Sequence, residues 1–234
     1  MISRQDMTGS IGSNAEQGLD LAQGGGDGAA LASQPEDAVK HAIIIAHPKA
    51  QSFTASVADA YVRACEALGH CTVIRDLYRL CFDPCLKAGE LPFAQNFAPE
   101  PDVIAERTLL KDCDVFAFFY PLWLNSPPAI AKGYLERVFG FGFAYGEGGH
   151  SYNPLLKGRK LINFSSSGAP TTWLQQTGAL GAVQSLFDSY FAELCGMTLL
   201  PHVHFGSITP GASEFYIRPK LEIVTKTVNL HFGS

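Results

Sequence analysis

The strongest constraint on the fold is a continuous apolar run, Ala-Ile-Ile-Ile-Ala, that follows His41 and ends at Ala46. A strand that is apolar on both faces must be covered on both faces, which is typical of the centre of a parallel sheet. Parallel strands are joined by crossover helices. Residues 54–68 predict such a helix, because their apolar side chains recur at helical spacing and Gly69 follows as a C-terminal stop.

The rest of the chain repeats this alternation. We expect strands at 71–77, 114–120, 160–165 and around 198–205. We expect one helix that ends near 113 and three further helices over 128–139, 178–195 and 218–231. Residues 78–101, rich in Pro and Phe, predict a long irregular connection, and such connections are usually functional. Right-handed crossovers then predict an α/β fold, a doubly wound parallel sheet with helices on both faces.

The charge of the chain is concentrated at its beginning. Residues 1–38 carry one basic and six acidic side chains, so 1 − 6 = −5 accounts for the whole formal charge of −5. The same stretch has no aromatic residue and seven glycines, which leaves too little apolar surface to offset the entropy lost on ordering. We therefore expect a disordered N-terminal tail over 1–38 and one domain over 39–234. Without an excess of positive charge, nucleic acid is not an expected partner.

The apolar segments also bear on the compartment. No basic start followed by a run of 7 to 15 apolar residues marks a secretory signal. The longest apolar stretch, from Val115 to Leu124, is about half of the ~20 residues that a membrane helix needs. We expect a cytoplasmic protein whose six cysteines are reduced and buried, because none of them has Cys-x-x-Cys or metal-finger spacing. The seven histidines include no paired metal-ligand spacing, so no metal site is expected.

Ligands of open α/β sheets bind outside the carboxyl ends of the strands, which directs attention to three turns. Turn 1, residues 46–54, places hydroxyl groups where a helix begins, and helix N-termini favour phosphate. Turn 2, residues 120–129, places Trp123 and two prolines in a connection that normally faces water, which indicates a flat ligand. Turn 3, residues 165–170, offers N–H groups and hydroxyls without charge, which suits a dipolar or anionic ring edge.

Each turn also has a purely structural interpretation. Ser52 and Thr54 are equally well explained as helix caps, and His47 as a polar residue of the core. Turn 2 could pack beneath the connection at 78–101 or into a dimer interface. Turn 3 could be an ordinary polar turn. The absence of Gly-x-Gly-x-x-Gly, Walker and Gly-x-Ser-x-Gly motifs argues against classical dinucleotide dehydrogenases, P-loop enzymes and serine hydrolases.

Together these segments resemble the flavodoxin-like NAD(P)H:quinone oxidoreductases, including the modulator-of-drug-activity type and the ancillary flavoproteins of glutathione-gated potassium efflux systems. The resemblance covers about His41 to Leu230. Its most specific part is the stretch from Tyr120 to Phe139, YPLWLNSPPAIAKGYLERVF. Supporting matches are Ala-His-Pro with the following Ser52-Phe53, the GFAYG segment at 142–146, and the Ser-Ser-Ser-Gly turn that begins at Ser165.

The resemblance implies a flavodoxin-like sheet of five strands in the order 2-1-3-4-5 and a bound flavin, either FAD or FMN. The flavin phosphate would lie on Ser52, Phe53 and Thr54, near His47. The isoalloxazine ring would lie on turn 2, at Pro121, Leu122, Trp123, Leu124 and Asn125. Turn 3, at Ser165, Ser166, Ser167 and Gly168, would face the N1 and O2 edge of the ring, where fixed dipoles favour the reduced flavin.

The resemblance also implies an activity. NADH or NADPH and then a quinone-like acceptor would bind in turn on the open ring face beside Tyr145, and hydride would pass through flavin N5 in a ping-pong cycle. Tyr145, Ser166 and Gly168 are the expected catalytic residues. An alternative is a flavin-bound regulatory subunit that docks on a cation/proton antiporter at the cytoplasmic face of a membrane. A one-electron flavodoxin carrier fits less well, because such carriers surround their flavin with acidic residues and this domain is formally neutral.

Two further expectations follow. A homodimer is expected, because the sites of the family are completed by a second subunit and because Phe82, Leu91, Phe93 and Phe97 give the 78–101 connection an apolar surface. One departure from the family is also visible. Animal members place a Tyr and a His beyond turn 3, whereas this chain has Trp173 in that region and no His between 150 and 202.

Overall fold

The computed structural model describes residues 38–148 and 151–233. The expected disordered tail therefore lies, except for Ala38, outside the described residues and stays a prediction. The strands are β1 Lys40–Ile45, β2 Cys71–Asp76, β3 Val115–Pro121, β4 Tyr145–Gly148, β5 Ser151–Pro154, β6 Lys160–Ser166, β7 Thr198–Leu199 and β8 Val203–Phe205. The α-helices are α1 Phe53–Ala67, α2 Pro101–Leu110, α3 Ala129–Arg137, α4 Thr171–Gln176, α5 Ala179–Val183, α6 Tyr190–Cys195 and α7 Glu214–Phe232.

The main sheet is parallel at every pairing and runs in the order β2-β1-β3-β6-β7, with β8 also beside β6. The expected five-strand order 2-1-3-4-5 is corrected in two respects. A separate antiparallel hairpin, β4-β5, comes between the third and fourth strands of the sheet. The last expected strand is divided into β7 and β8, because Pro201, which lacks an N–H donor, lies between them.

Two apolar layers cover the sheet. One face packs against α1 and α7 through residues such as Tyr61 and Val224, and the other packs against α3 and the 179–195 helix through Tyr134 and Phe191. All seven residues of β3 are buried, as the centre of a sheet covered on both faces requires. The prediction of a flavodoxin-like α/β fold with helices on both faces is thereby confirmed.

Two expected helices differ in detail. The helix expected over 178–195 consists of α5, a π-helical turn over 184–189 and α6, and α4 precedes it. The last helix begins at Glu214 rather than 218 because Ser213 caps it, and it continues through Pro219. Within the described residues, no helix combines the length and the apolar character needed to span a membrane.

A buried arginine anchors the long connection at 78–100 to the domain. Arg137 of α3 is 1% exposed, and it donates to both carboxylate oxygens of Glu90 at 2.9 Å and to the carbonyl of Asp83 at 2.6 Å. It also pairs with Asp102 at the start of α2 at 2.8 Å. One guanidinium therefore links α3, the 78–100 segment and α2. These contacts hold the segment, which lacks regular structure over most of its length, against the domain.

Candidate active site

The three turns lie side by side at the carboxyl edge of the sheet. The N–H of Leu122 in turn 2 donates to the carbonyl of Ser166 in turn 3 at 2.6 Å. The rings of His47 in turn 1 and Trp123 in turn 2 are 5.7 Å apart between centroids. The order β1, β3, β6 in the sheet makes these turns neighbours, so residues that are more than 100 positions apart in the sequence form one surface.

Turn 1 presents the N-terminus of a 15-residue helix. Ser52 is the N-cap of α1, and its hydroxyl accepts from the N–H of Ala55 at 3.1 Å, which confirms a capping role for this residue. Within the described residues, no protein group accepts from the N–H groups of Phe53 and Thr54. Phe53 is held by an edge contact to Phe205, with ring centroids 5.4 Å apart. The helix start is therefore fixed, with two N–H donors available to an anion.

Two cations lie close to the same turn. Burial lowers the pKa of His47, and the nearby charges of Lys49 and Arg79 lower it further. The His47 imidazole is therefore uncharged at neutral pH, and its Nδ1 lies 3.1 Å from the backbone nitrogen and 3.2 Å from the carbonyl oxygen of Lys49. The Arg79 guanidinium donates to the carbonyl of Pro48. The helix N-terminus, Lys49 and Arg79 together make turn 1 electropositive, although the domain as a whole is formally neutral.

Turn 2 is a tight reversal that displays apolar side chains. Trp123 and Ser126 exchange backbone hydrogen bonds at 2.9 and 3.1 Å, and the two residues between them, Leu124 and Asn125, have φ of +50° and +55°. Positive φ at both central positions defines a type I′ geometry, which disfavours a leucine. The turn is tied down by the Asn125 side-chain amide, which donates to the carbonyl of Ala179 at 2.9 Å. Leu124 is fully exposed and Trp123 is 44% exposed.

The serines of turn 3 are more deeply placed than a polar turn suggests. Ser165, Ser166 and Ser167 are all buried, and the N–H of Ser167 donates to the carbonyl of Phe205 at 3.0 Å. The Ser165 hydroxyl contacts two imidazoles of the protein rather than the surface. Gly168 is exposed, and no group in the described part of the chain accepts from its N–H. Of the turn 3 residues, Gly168 therefore offers the most accessible backbone donor to a ligand.

The sequence analysis missed a group of polar residues directly behind turn 3. Asp188 of the π-helical turn accepts from His202 at 2.8 Å and from the Asn163 amide at 2.8 Å. His202 and His204 both reach the Ser165 hydroxyl. No sequence motif or spacing links residues 188, 202 and 204 to residue 165. The sequence alone therefore did not indicate this group.

The ring contacts of Tyr145 lie outside the three turns. Its ring contacts those of Phe141 and Tyr152, with centroids 6.1 and 5.1 Å away. It lines a cavity of about 250 Å³ between α3, the connection at 86–92 and the 186–194 helix, where Leu186 and Tyr190 are more than 60% exposed. Burial raises the pKa of Tyr145, so its hydroxyl stays protonated at neutral pH.

The comparisons with known proteins agree with this geometry. The model of a family described as having a flavodoxin-like fold matches residues 39–222. The chain belongs to this flavodoxin-like family. An NAD(P)H oxidoreductase of Haemophilus influenzae is 32% identical over 172 residues, which cover 73% of this chain and 85% of that protein. NAD(P)H dehydrogenase [quinone] 1 of Rattus norvegicus is 28% identical over 223 residues, which cover 84% and 81% of the two chains.

A solved structure with a similar fold adds a cofactor to the comparison. General stress protein 14 of Treponema denticola, in complex with FMN, matches 80% of this chain and 94% of its own with a TM-score of 0.56 and 23% identity. The predictions of the family and of an oxidoreductase enzyme are confirmed by the relatives. None of the relatives described above supports the antiporter alternative, and the cytoplasmic location stays a prediction.

Proposed function

We propose that this flavodoxin-like protein binds a flavin and transfers hydride from NADH or NADPH to quinone-like acceptors. The observation that carries the proposal is the meeting of three different surfaces at one sheet edge: an electropositive helix start, an apolar aromatic turn and an uncharged turn with a free N–H. A flavin has the matching three parts, which are a phosphate, a flat ring and a dipolar pyrimidine edge.

The chemistry of the donor set fits this cofactor. The N–H groups of Phe53 and Thr54 would hold a phosphate, with Lys49 and Arg79 supplying positive charge. Trp123 and Leu124 are exposed apolar groups that a flat ring would cover. The free N–H of Gly168 would meet the ring edge that becomes negative on reduction. The relatives and the FMN-bound structural neighbour support a flavin, and both FMN and FAD satisfy these groups.

When bound, the flavin supplies the two-electron chemistry, accepting hydride at N5 and passing it on. The chain would hold the flavin in position and exclude water from the flavin ring. Leu124 and Asn125 close turn 2 in two residues of left-handed backbone, and this tight turn would support the ring. The side that turn 2 leaves open would take the nicotinamide and then the acceptor, so the two substrates would exclude each other and the kinetics would be ping-pong.

A second copy of the chain would bring Tyr145 to this open side. Leu91 and Phe93 are exposed, as expected, and Leu186 and Tyr190 add to the same apolar character around the cavity. Phe82 does not contribute to this surface, because it is buried against Tyr134 with ring centroids 5.1 Å apart. We therefore propose a homodimer whose apolar contacts come from the cavity rim, and light scattering after size exclusion tests it.

Separate measurement of the two half-reactions tests the function. The flavin-loaded protein is mixed anaerobically with NADH or NADPH, and bleaching of the visible flavin band is followed; the reduced protein is then mixed with a quinone. We expect each half-reaction to proceed without the other substrate. Flavin-loaded protein that neither nicotinamide bleaches would refute the proposal.

A further inference from the structure

Five buried or nearly buried side chains form a continuous hydrogen-bonded chain behind turn 3. Asp188 Oδ2 lies 2.8 Å from His202 Nδ1, and His202 Nε2 lies 2.6 Å from Ser165 Oγ. Ser165 Oγ lies 2.7 Å from His204 Nδ1, and His204 Nε2 lies 3.0 Å from Ser167 Oγ. Ser167 Oγ also lies 2.8 Å from the carbonyl of Ala169. We call this series the polar chain.

Counting protons gives the polar chain two complete arrangements. In the first, His202 is neutral: its Nδ1–H donates to Asp188, and its Nε2 accepts from the Ser165 hydroxyl. His204 Nδ1–H then donates to Ser165, and Ser167 donates to His204 Nε2. In the second arrangement His202 carries one more proton and donates from both nitrogens. Ser165 then donates to His204 Nδ1, His204 Nε2–H donates to Ser167, and Ser167 donates to Ala169.

The two arrangements differ by one proton and by the direction of every hydrogen bond beyond Asp188. A proton that passes from one arrangement to the other would enter at Ser167, the end of the polar chain beside the exposed Gly168. Ser167 passes its own proton to His204 Nε2, His204 passes its Nδ1 proton to Ser165, and Ser165 passes its proton to His202 Nε2. Ser167, His204 and Ser165 each lose one proton and gain one, whereas His202 keeps the added one. His204 stays neutral and changes tautomer.

We propose that the polar chain is a proton relay that stores one proton on His202, beside Asp188, when negative charge builds up at turn 3. This proposal rests on the proposed function, because the charge would be that of a reduced flavin held against Gly168. His202 is then a positioning residue that acts through Ser165 and His204, and none of the three needs to touch the flavin.

The charged and titratable groups that face His202 are consistent with a single stored proton. Asp188, 1% exposed and held by Asn163, supplies one negative charge. Burial and the charge of His202 lower the pKa of His204 to about 4, so His204 does not compete for the proton near neutral pH. Tyr120, whose ring is 6.3 Å from that of His202, stays neutral, because burial and the charge of Asp188 raise its pKa well above the usual range.

The order Asp188, His202, Ser165 is also that of a hydrolytic triad, but the geometry excludes this use. Ser165 is 2% exposed, and its hydroxyl oxygen already contacts two imidazoles. A nucleophilic serine must reach a carbonyl carbon with its oxygen while one imidazole takes the proton. No substrate carbonyl can approach an oxygen enclosed in this way, so a relay accounts for the arrangement better.

Nitrogen NMR of the histidine rings tests the relay without flavin. Ring ¹⁵N signals of the flavin-free protein are followed from pH 5 to pH 9. We expect the His204 tautomer to follow the charge of His202, with Nδ1–H while His202 is neutral and Nε2–H once His202 carries its second proton. In His202→Gln, His204 should keep one tautomer over the whole range. A His204 tautomer that stays fixed while wild-type His202 titrates would refute the relay, and so would a His202 that does not titrate.

The second measurement concerns the flavin-loaded protein and is independent of turnover. In His202→Gln the preference for reduced over oxidised flavin should fall about tenfold, which is about 30 mV in the midpoint potential of a two-electron couple. His231→Gln, on α7 and outside the polar chain, is the matched control and should leave the potential unchanged. An unchanged potential in His202→Gln, with the tautomer switch present in the flavin-free protein, would refute only the link to the flavin. If no flavin binds, the proposed function fails, while the NMR result still decides the relay.

Discussion

Replacing Glu90 by Gln should destabilise the protein strongly, because it removes one partner of a buried ion pair. The Glu90 side chain is 3% exposed and that of Arg137 is 1% exposed. Burial would raise the pKa of Glu90, but hydrogen bonds from Arg137 and from the N–H groups of Lys87 and Glu100 outweigh it and lower the pKa. Gln keeps the shape of the side chain but brings an NH₂ group against the donors of Arg137 and leaves its charge with less compensation.

The expected loss is about 1–3 kcal/mol of unfolding free energy, less than for a buried charge left without any partner, because Asp102 still pairs with Arg137. Urea denaturation followed by circular dichroism measures it. The matched control is Glu136→Gln, which breaks the exposed pair with Lys132 and should cost no more than about 0.5 kcal/mol. A loss below about 1 kcal/mol in Glu90→Gln would show that Arg137 does not anchor the 78–100 connection as described.

Three further perturbations test other parts of the structure. Burial lowers the folded pKa of His41 to about 3, below the unfolded value of 6.5, so the contribution of His41 to stability should fall as the pH drops below 6.5, by about 2.5 kcal/mol between pH 6 and pH 4. His41→Gln should remove that part of the pH dependence in denaturation at a series of pH values. Ser52→Ala should cost about 1 kcal/mol, measured in urea, because it removes the cap of α1. Leu124→Gly should raise the melting temperature rather than lower it, because a leucine with φ of +50° is strained by about 1 kcal/mol and its side chain is fully exposed.

Much of the fold could be predicted because the relevant signals are local. The apolar run after His41 and the one after Asp114 became β1 and β3, and the proline before Ala129 marks the start of α3. The hairpin β4-β5 was missed because glycines and polar residues dominate its two short strands, so they show no apolar alternation. The last helix was expected to begin at 218, whereas the cap at Ser213 starts α7 at Glu214, about one turn earlier.

Part of the candidate site could likewise be predicted from the sequence, and part could not. The three turns could be located from the sequence, since the carboxyl ends of parallel strands meet at one edge whatever their sequence separation. The polar chain could not, because Asp188 belongs to a π-helical turn and the two histidines flank a short edge strand, and neither feature has a sequence signature. The same limit explains Ser165, whose hydroxyl was assigned to the ligand although its partners are His202 and His204.

Titration of FMN and FAD into the flavin-free protein, followed by quenching of flavin fluorescence, tests the central claim most directly. The account predicts one flavin per chain and affinity at least about tenfold weaker in Trp123→Ala, a loss of about 1.4 kcal/mol at the ring. Phe215→Ala, which removes an exposed aromatic side chain of α7, is the control and should bind flavin like the wild type. Folded wild-type protein that binds neither flavin, or a Trp123→Ala variant with wild-type affinity, would contradict the assignment of the three turns as a flavin site.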